Sequence, residues 1–413
     1  MFVGAVSSRV SENQAAGHYY WWYAKLDSTQ RSSGLPVPAT IGPLDSTVNF
    51  VQPLISPKAT KFEFSLSARA LAQYRLRRLL PLLRERKSAG VNHNFFYDGG
   101  LTEFWVCFFA AGRIPGVNFI FNFHWADRWM AVLRSPKLSA RLLRSSLRWC
   151  AHRRPKNLTL SAETDALAGE LTERLGVTFR TFPIFSTLKP ARVKKWENRE
   201  LDLLILPQRP SELDFVSLLI DELSALNIRS ATYLKLDTFD RWPASPVKKE
   251  SLNPRFLPLS EKEYSDLLNS ARLTLLPYDK PYFEWGSSGK FNEAIALGSF
   301  PLVPEGTAIS SQSSGDPVFH EIDMTNVEEV AKKIVTLSNL PHLPKLKPVF
   351  IEDFLAWAKA PSLSPAGPKI GWIICLLLLF FSGIFYRQDA RLASLRFALG
   401  SALDRRRAAR YRN

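Results

Sequence analysis

Over roughly the first 340 residues, short apolar runs of strand length alternate with longer amphipathic segments, and few architectures tolerate that rhythm. Apolar runs without polar alternation are buried on both faces. Strands of that kind sit in parallel sheets whose crossover helices cover them. The expected class is therefore α/β. The runs that read as strands are Val91–Tyr97, Val117–Phe123, Leu158–Ser161, Leu201–Pro207, Ser230–Leu236 and Leu273–Pro277. The segments that read as helices are Ser67–Lys87, Leu101–Ala111, Lys137–Arg153, Thr164–Leu175, Leu213–Leu226, Glu261–Ala271 and Lys290–Leu297. Pro81 is expected to break the first of these, because proline removes a helical hydrogen bond and clashes with the preceding turn. A charge-rich stretch, Lys189 to Glu200, divides the chain into a first domain over 1–190 and a second over 191–340. A length of 413 residues is ample for two cores.

Composition narrows the class further. The hydrophobic fraction of 46% and charged fraction of 22% exclude a disordered chain, a collagen-like chain and a polytopic membrane protein. Cys107, Cys150 and Cys375 show neither paired nor metal-ligand spacing. A disulfide scaffold and a zinc cluster are therefore not expected, and a reducing compartment fits. The first residues lack a basic region followed by an apolar run and a small-residue cleavage site, so no secretory signal is read there. The net charge of +16 suits an anionic partner, either nucleic acid or an acidic membrane surface.

The C-terminal part favours the membrane. Residues 341–368 are proline-rich and read as a linker holding one short helix near Ile351–Ala358. Ile370 to Tyr386 is an uncharged apolar run of 17 residues bracketed by Lys369 and Arg387. As a helix it would be about 25 Å long, at the short limit for crossing a bilayer core. Residues 369–387 are thus expected to form a transmembrane or membrane-inserted helix, the alternative being a buried core helix. Trp372 and Tyr386 suit the interfacial belt. From Arg387 on, eight arginines face Asp389 and Asp404, a balance of +6. Leu392, Leu395, Leu399 and Leu403 draw one apolar stripe along the tail at 388–413. Such a helix can lie among lipid headgroups or stay a solvated, frayed end. Arg141, Arg144 and Arg148 share one face of the Lys137–Arg153 helix with Lys137 and His152, a solvated face or a membrane-facing one. No nucleic-acid motif is present, and nucleic acid is not an expected partner.

The stretch Leu273 to Ser310 carries the most chemistry. It reads as strand, loop, helix, strand, loop, with Gly286-Ser287-Ser288-Gly289-Lys290 at the start of the helix. Small residues let a ligand approach the backbone closely. Helix N-terminal N–H groups, the serine hydroxyls and Lys290 favour an anion such as a diphosphate. The spacing is not that of a P-loop. Glu293, in the first turn, is placed either to accept ribose hydroxyls or to complement the helix dipole.

This block resembles the donor-site segment of GT-B fold glycosyltransferases, in particular the glycosyltransferase 1/4-like group. The matching residues are Leu276-Pro277-Tyr278, Ser287-Ser288-Gly289, Glu293-Ala294, Gly298, Pro301 to Pro304 and Gly306-Thr307. The resemblance implies a GT-B fold of two facing Rossmann-like domains, with an acceptor-side first domain and a nucleotide-sugar-binding second one. It implies a transferase, hexosyltransferase-type, that retains configuration, needs no metal or cofactor and uses a nucleotide diphosphate sugar as co-substrate. It places Arg209, Lys235, Tyr278, Ser287, Ser288, Gly289, Lys290 and Glu293 around that donor. His124, Asp127 and His18 become candidates for orienting or deprotonating the acceptor. The C-terminal features make a lipid-linked, glycolipid or polysaccharide acceptor the expectation, with the protein membrane-associated and its catalytic domains on the cytoplasmic side. Two departures stand out. Asp214 replaces a lysine usual five residues after Arg209. Many retaining members carry two glutamates with seven residues between them, and the first falls here on Trp285, with Glu284 one residue away. A catalytically inactive GT-B protein that binds glycan or scaffolds polysaccharide assembly is the competing expectation.

Overall fold

The computed structural model describes residues 2–7, 39–40, 52–53, 68–96, 101–124, 126–186, 188, 192–244, 249, 252, 254–257, 259–312 and 321–360. His18, Trp372, the apolar run 370–386 and the basic tail lie outside the described residues. No helix among the described residues is long and apolar enough to cross a membrane.

The described strands form two parallel sheets. The first contains β1 (Phe2–Ser7), β2 (Ala39–Thr40), β3 (Gln52–Pro53), β4 (Val91–Phe96), β5 (Asn118–Phe123), β6 (Leu158–Ala162) and β7 (Arg180–Thr181), in the order β3-β2-β1-β4-β5-β6-β7. Its crossover helices are α1 (Ala68–Ser88), α2 (Leu101–Arg113), α3 (Ala126–Arg134), α4 (Leu138–His152) and α5 (Asp165–Leu175). Registers such as Phe95 opposite Ile120 and Phe121 opposite Leu160 place successive side chains on opposite faces. Phe119, Phe121 and Phe123 therefore pack together on the helix-covered face, in one core with Phe104 and Phe108 of α2. On the other face Phe95 stacks on Phe182 at 5.2 Å.

Helix α1 runs through Pro81 without a break, contrary to expectation. The proline ring is exposed while Leu79, Leu80, Leu82 and Leu83 on either side are buried. Burying four leucines contributes several kcal/mol, more than the roughly 3 kcal/mol that an interior proline costs. Arg75 further pins α1 to α2 through Glu103 at 2.6 Å.

The second sheet contains β8 (Leu201–Ile205), β9 (Ser230–Lys235), β10 (Arg255–Leu257), β11 (Ala271–Leu275), β12 (Phe300–Pro304) and β13 (Glu321–Ile322), in the order β10-β9-β8-β11-β12-β13. Between these strands run α6 (Leu213–Ala225), α7 (Leu236–Asp240), α8 (Glu261–Ser270), α9 (Lys280–Phe283) and α10 (Gly289–Ala296), and α11 (Val327–Ser338) follows β13. In both sheets the strand order reverses beside the first strand, at β1/β4 and at β8/β11. Ligands of open parallel sheets bind outside the carboxyl ends of the strands at such a point.

The connection between the sheets is fastened to the second. Buried Arg199 donates to the carbonyls of Ala271 at 2.6 Å and Leu297 at 2.8 Å. Gly298 closes α10 at φ +73°, and a Cβ there would stand 2.7 Å from the Arg199 guanidinium. This glycine is required by its left-handed backbone and by the arginine packed on it.

The proline-rich segment is more than a tether. Leu343 is buried against the second core, and α12 (Ile351–Lys359) then crosses back to the Phe95 face of the first sheet. There Phe354 is fully buried, its ring 5.1 Å from Phe95. The two chain crossings are bonded to each other, Ser186 N–H to the Val349 carbonyl at 2.8 Å.

Candidate functional site

The switch point of the second sheet is closed by a buried carboxylate. After β8 the chain leaves through Pro207-Gln208-Arg209 into a short 3-10 turn, Pro210–Glu212. Glu212 accepts the backbone N–H groups of Gln208 at 2.6 Å, Arg209 at 3.2 Å and, from the turn after β11, Asp279 at 3.3 Å. Burial pushes its carboxyl up to about 7, and those three hydrogen bonds oppose the rise. Glu212 thus ties the two turns flanking the crevice.

Tyr278 stands at the floor of the crevice. Its ring is fully buried and stacks on Phe283 at 4.3 Å. Its hydroxyl takes the Gln208 side-chain amide at 2.6 Å and shares a hydrogen bond with Ser288 at 3.2 Å. Ser288 heads α10 without capping it, since no side-chain hydrogen bond closes the first turn, and Glu293, expected in that turn, falls in the next because the helix begins at Gly289. Its own N–H donates to Gln312 at 3.1 Å.

Next in α10 comes Lys290, half-buried. Burial pulls its ammonium down to about 8, Lys235 adds to the fall, and Glu293 and Glu212 oppose it. Those influences place Lys235 at the end of β9, both carboxylates and Lys290 in one electrostatic cluster. Glu293 is buried and accepts the Tyr264 hydroxyl at 3.2 Å. Arg209 begins the 3-10 turn beside them. The structure therefore gathers Arg209, Lys235, Tyr278, Ser288, Gly289, Lys290 and Glu293 at the carboxyl ends of β8, β9 and β11.

Ser287 turns the other way. Its hydroxyl donates to Glu163 Oε2 of the first sheet at 3.0 Å. The same loop is held by the Thr164 hydroxyl on the Trp285 carbonyl at 2.8 Å, and by Arg134 lying 4.0 Å over the Trp285 ring. Trp285, at the position where the family pattern has a glutamate, packs against the first core.

His124 ends β5, and its Nδ1 meets Glu163 Oε1 just beyond β6. Both residues are buried. Burial pushes the Glu163 carboxyl up to about 8, and the Ser287 hydrogen bond opposes this. The carboxylate that the structure sets on His124 is thus Glu163. Asp127 stands in the first turn of α3.

The three arginines of α4 divide. Arg141 and Arg148 are exposed, whereas Arg144 reaches the Leu133 carbonyl and joins α4 to α3. Leu138 and Leu142 lie open beside Arg141, 71% and 39% exposed.

Sequence reasoning missed Glu163, Glu212, Gln208, Gln312 and Tyr264. Glu163 had one local signal, its place between the apolar β6 and the helix-starting Thr164. Gln312 and Tyr264 had none, because their partners are 24 and 29 residues away.

No protein-family model matches this sequence, and no curated protein matches it. Among solved structures, a glycosyltransferase from Rickettsia africae ESF-5 is 11% identical, covers 94% of this chain and 98% of its own, and superposes with a TM-score of 0.51. That likeness is one of fold, and the fold is of the GT-B glycosyltransferase type. AviGT4, a glycosyltransferase involved in avilamycin A biosynthesis, is 16% identical over 95% of this chain and 97% of its own, at a TM-score of 0.45. A UDP-GlcNAc 2-epimerase from Neisseria meningitidis is 11% identical over 86% and 98%, at 0.46. At scores under 0.5 these two are no guide to this chain.

Proposed function

We propose that this chain transfers a hexosyl group from a nucleoside diphosphate sugar to a saccharide or lipid-linked acceptor. The observation that carries the reading is Lys290 beside the uncapped N-terminus of α10, at the switch point of the second sheet. Charge grows on the leaving diphosphate as the glycosidic bond breaks. A fixed ammonium, the positive end of the α10 dipole, Arg209 and Lys235 are then worth more than in the ground state. Tyr278 and Gln208 hold Ser288 in place, and Glu293 is set to receive donor hydroxyls. The leaving group is thereby served by the protein itself, and the reading requires no divalent metal.

His124 serves the acceptor side, taking the hydroxyl proton as the new bond forms. Retention is what the family resemblance implies. Trp285 in place of a carboxylate, and a buried His124–Glu163 pair opposite the donor loop, favour base-assisted displacement with inversion. The anomeric configuration of the product decides between them. Arg141, Arg148, Leu138 and Leu142 support docking on an anionic membrane surface, with the catalytic domains on the cytoplasmic side where nucleotide sugars occur.

The test is calorimetry of the full chain with UDP, GDP, UDP-glucose, UDP-N-acetylglucosamine and GDP-mannose, each repeated with Glu293→Ala. One nucleotide should bind, more weakly in the variant. No binding by folded protein would sink the transferase reading. It would promote an inactive GT-B scaffold, which Trp285 also favours.

A further inference from the structure

One carboxyl group joins the two halves of the site. Glu163 Oε1 lies on His124 Nδ1, and Oε2 takes the Ser287 hydroxyl. The loop that carries Ser287 is seated on the first domain by Thr164 and Arg134 as well. We propose that Ser287, acting through Glu163 as a positioning residue, makes His124 a proton acceptor only while the donor loop is seated. The inference rests on the reading of His124 as the acceptor-side base.

The chemistry is that of a shared proton. A neutral Glu163 donates to Nδ1, and the one ring proton then stays on Nε2, where no acceptor proton can be received. An ionised Glu163 instead accepts the Nδ1 proton and leaves the Nε2 lone pair open. Passing from the first state to the second removes one proton from the pair, which titrates as a unit. Burial favours the neutral acid, and the Ser287 hydroxyl opposes burial by stabilising the carboxylate. Losing that hydroxyl, by substitution or by departure of the loop, must keep the proton on the pair to higher pH.

The neighbouring charges do not replace Ser287. The charged residues on the elements that meet here are Asp127, Arg128 and Arg134 of α3, Asp165, Glu170, Glu173 and Arg174 of α5, and Glu284 of the loop. Arg134 lies on the Trp285 ring and reaches Glu170 at 3.2 Å. Asp165 takes the Thr181 hydroxyl. Arg134, Asp165, Glu170 and Glu284 are not among the causes that shift Glu163.

The linkage gives the enzyme an order of events. The histidine is armed only after the loop that carries Ser287 and leads into α10 has closed on the first domain. Without that closure the activated sugar meets no base able to recruit water.

The tautomer is read directly by NMR of the full chain carrying 15N-labelled histidine, with the His124 signals assigned from His124→Gln. The pH at which Nε2 loses its proton is expected to rise by about one unit in Ser287→Ala. Ser287→Thr, which keeps the hydroxyl, should restore it, and in Glu163→Gln the midpoint should no longer respond to Ser287→Ala. An unchanged midpoint in Ser287→Ala would overturn the proposal. Calorimetry with UDP on the same samples separates the two readings. An unchanged midpoint with UDP still bound leaves the donor site standing. A shifted midpoint without UDP binding leaves the proton linkage and removes the transferase reading.

Discussion

Helices α5 and α10 each begin just beyond the carboxyl edge of a parallel sheet, yet their first turns are finished in opposite ways. Thr164 caps α5 by accepting the Leu167 N–H at 3.1 Å, and Asp165 adds a negative charge in the first turn. That terminus is satisfied by its own residues. Ser288 leaves α10 uncapped because its hydroxyl is engaged by Tyr278, and the charge in its first turn is the ammonium of Lys290. The field of a helix N-terminus is common to both. What separates the terminus proposed to hold a ligand from the structural joint is two side chains on each, a serine with a lysine against a threonine with an aspartate.

Removing the lysine should break the contrast most. Lys290→Ala is expected to weaken UDP about 10- to 100-fold, the loss of a charge-assisted hydrogen bond. Calorimetry checks it, and the melting temperature should stay close to wild type. A smaller effect should appear in pH. The Lys290 ammonium is pulled down to about 8, below the ordinary lysine value. The free site therefore loses its proton as pH rises past that point, while a bound diphosphate holds it. UDP binding should take up a fraction of a proton near pH 8, read from calorimetry in buffers of different ionisation enthalpy, and the uptake should vanish in Lys290→Arg. The smallest change is on the other helix. Thr164→Ala removes a cap worth about 1 kcal/mol and should lower the melting temperature by a few degrees. UDP affinity should fall by less than in Lys290→Ala, since only the seating of the Trp285 loop is touched.

The two termini also differed in how well they could be read from sequence. Gly286 to Lys290 was legible because its residues are contiguous and act through the backbone they share. Most helices and the longer strands other than β1 were legible for the same reason, within a residue or two at their ends. The short strands β2, β3, β7, β10 and β13 were not. Runs of two or three residues carry no periodicity, and their pairing comes from the sheet they join. Pro81 misled because local propensity was outweighed by burial of the leucines around it. The His124–Glu163–Ser287 chain was hidden because its second link spans 124 residues. Asp127 drew notice instead only by being close in sequence.

The two crossings between the sheets have a mechanical meaning. Ser186 and Val349 are bonded where the chain leaves the first sheet and where it returns. Asn292 on α10 is bonded to both, through the Ile184 carbonyl and the Val349 N–H. A single strap would let one lobe swivel on the other. Two straps laced side by side act like the paired leaves of a door hinge, with the lysine-bearing helix as the pin. That helix is tied to both straps, and the proposed anion site at its first turn lies beside the place where the two lobes are joined. The Trp285 loop, which leads into that helix, is a separate third fastening to the first lobe, through Thr164 and Arg134.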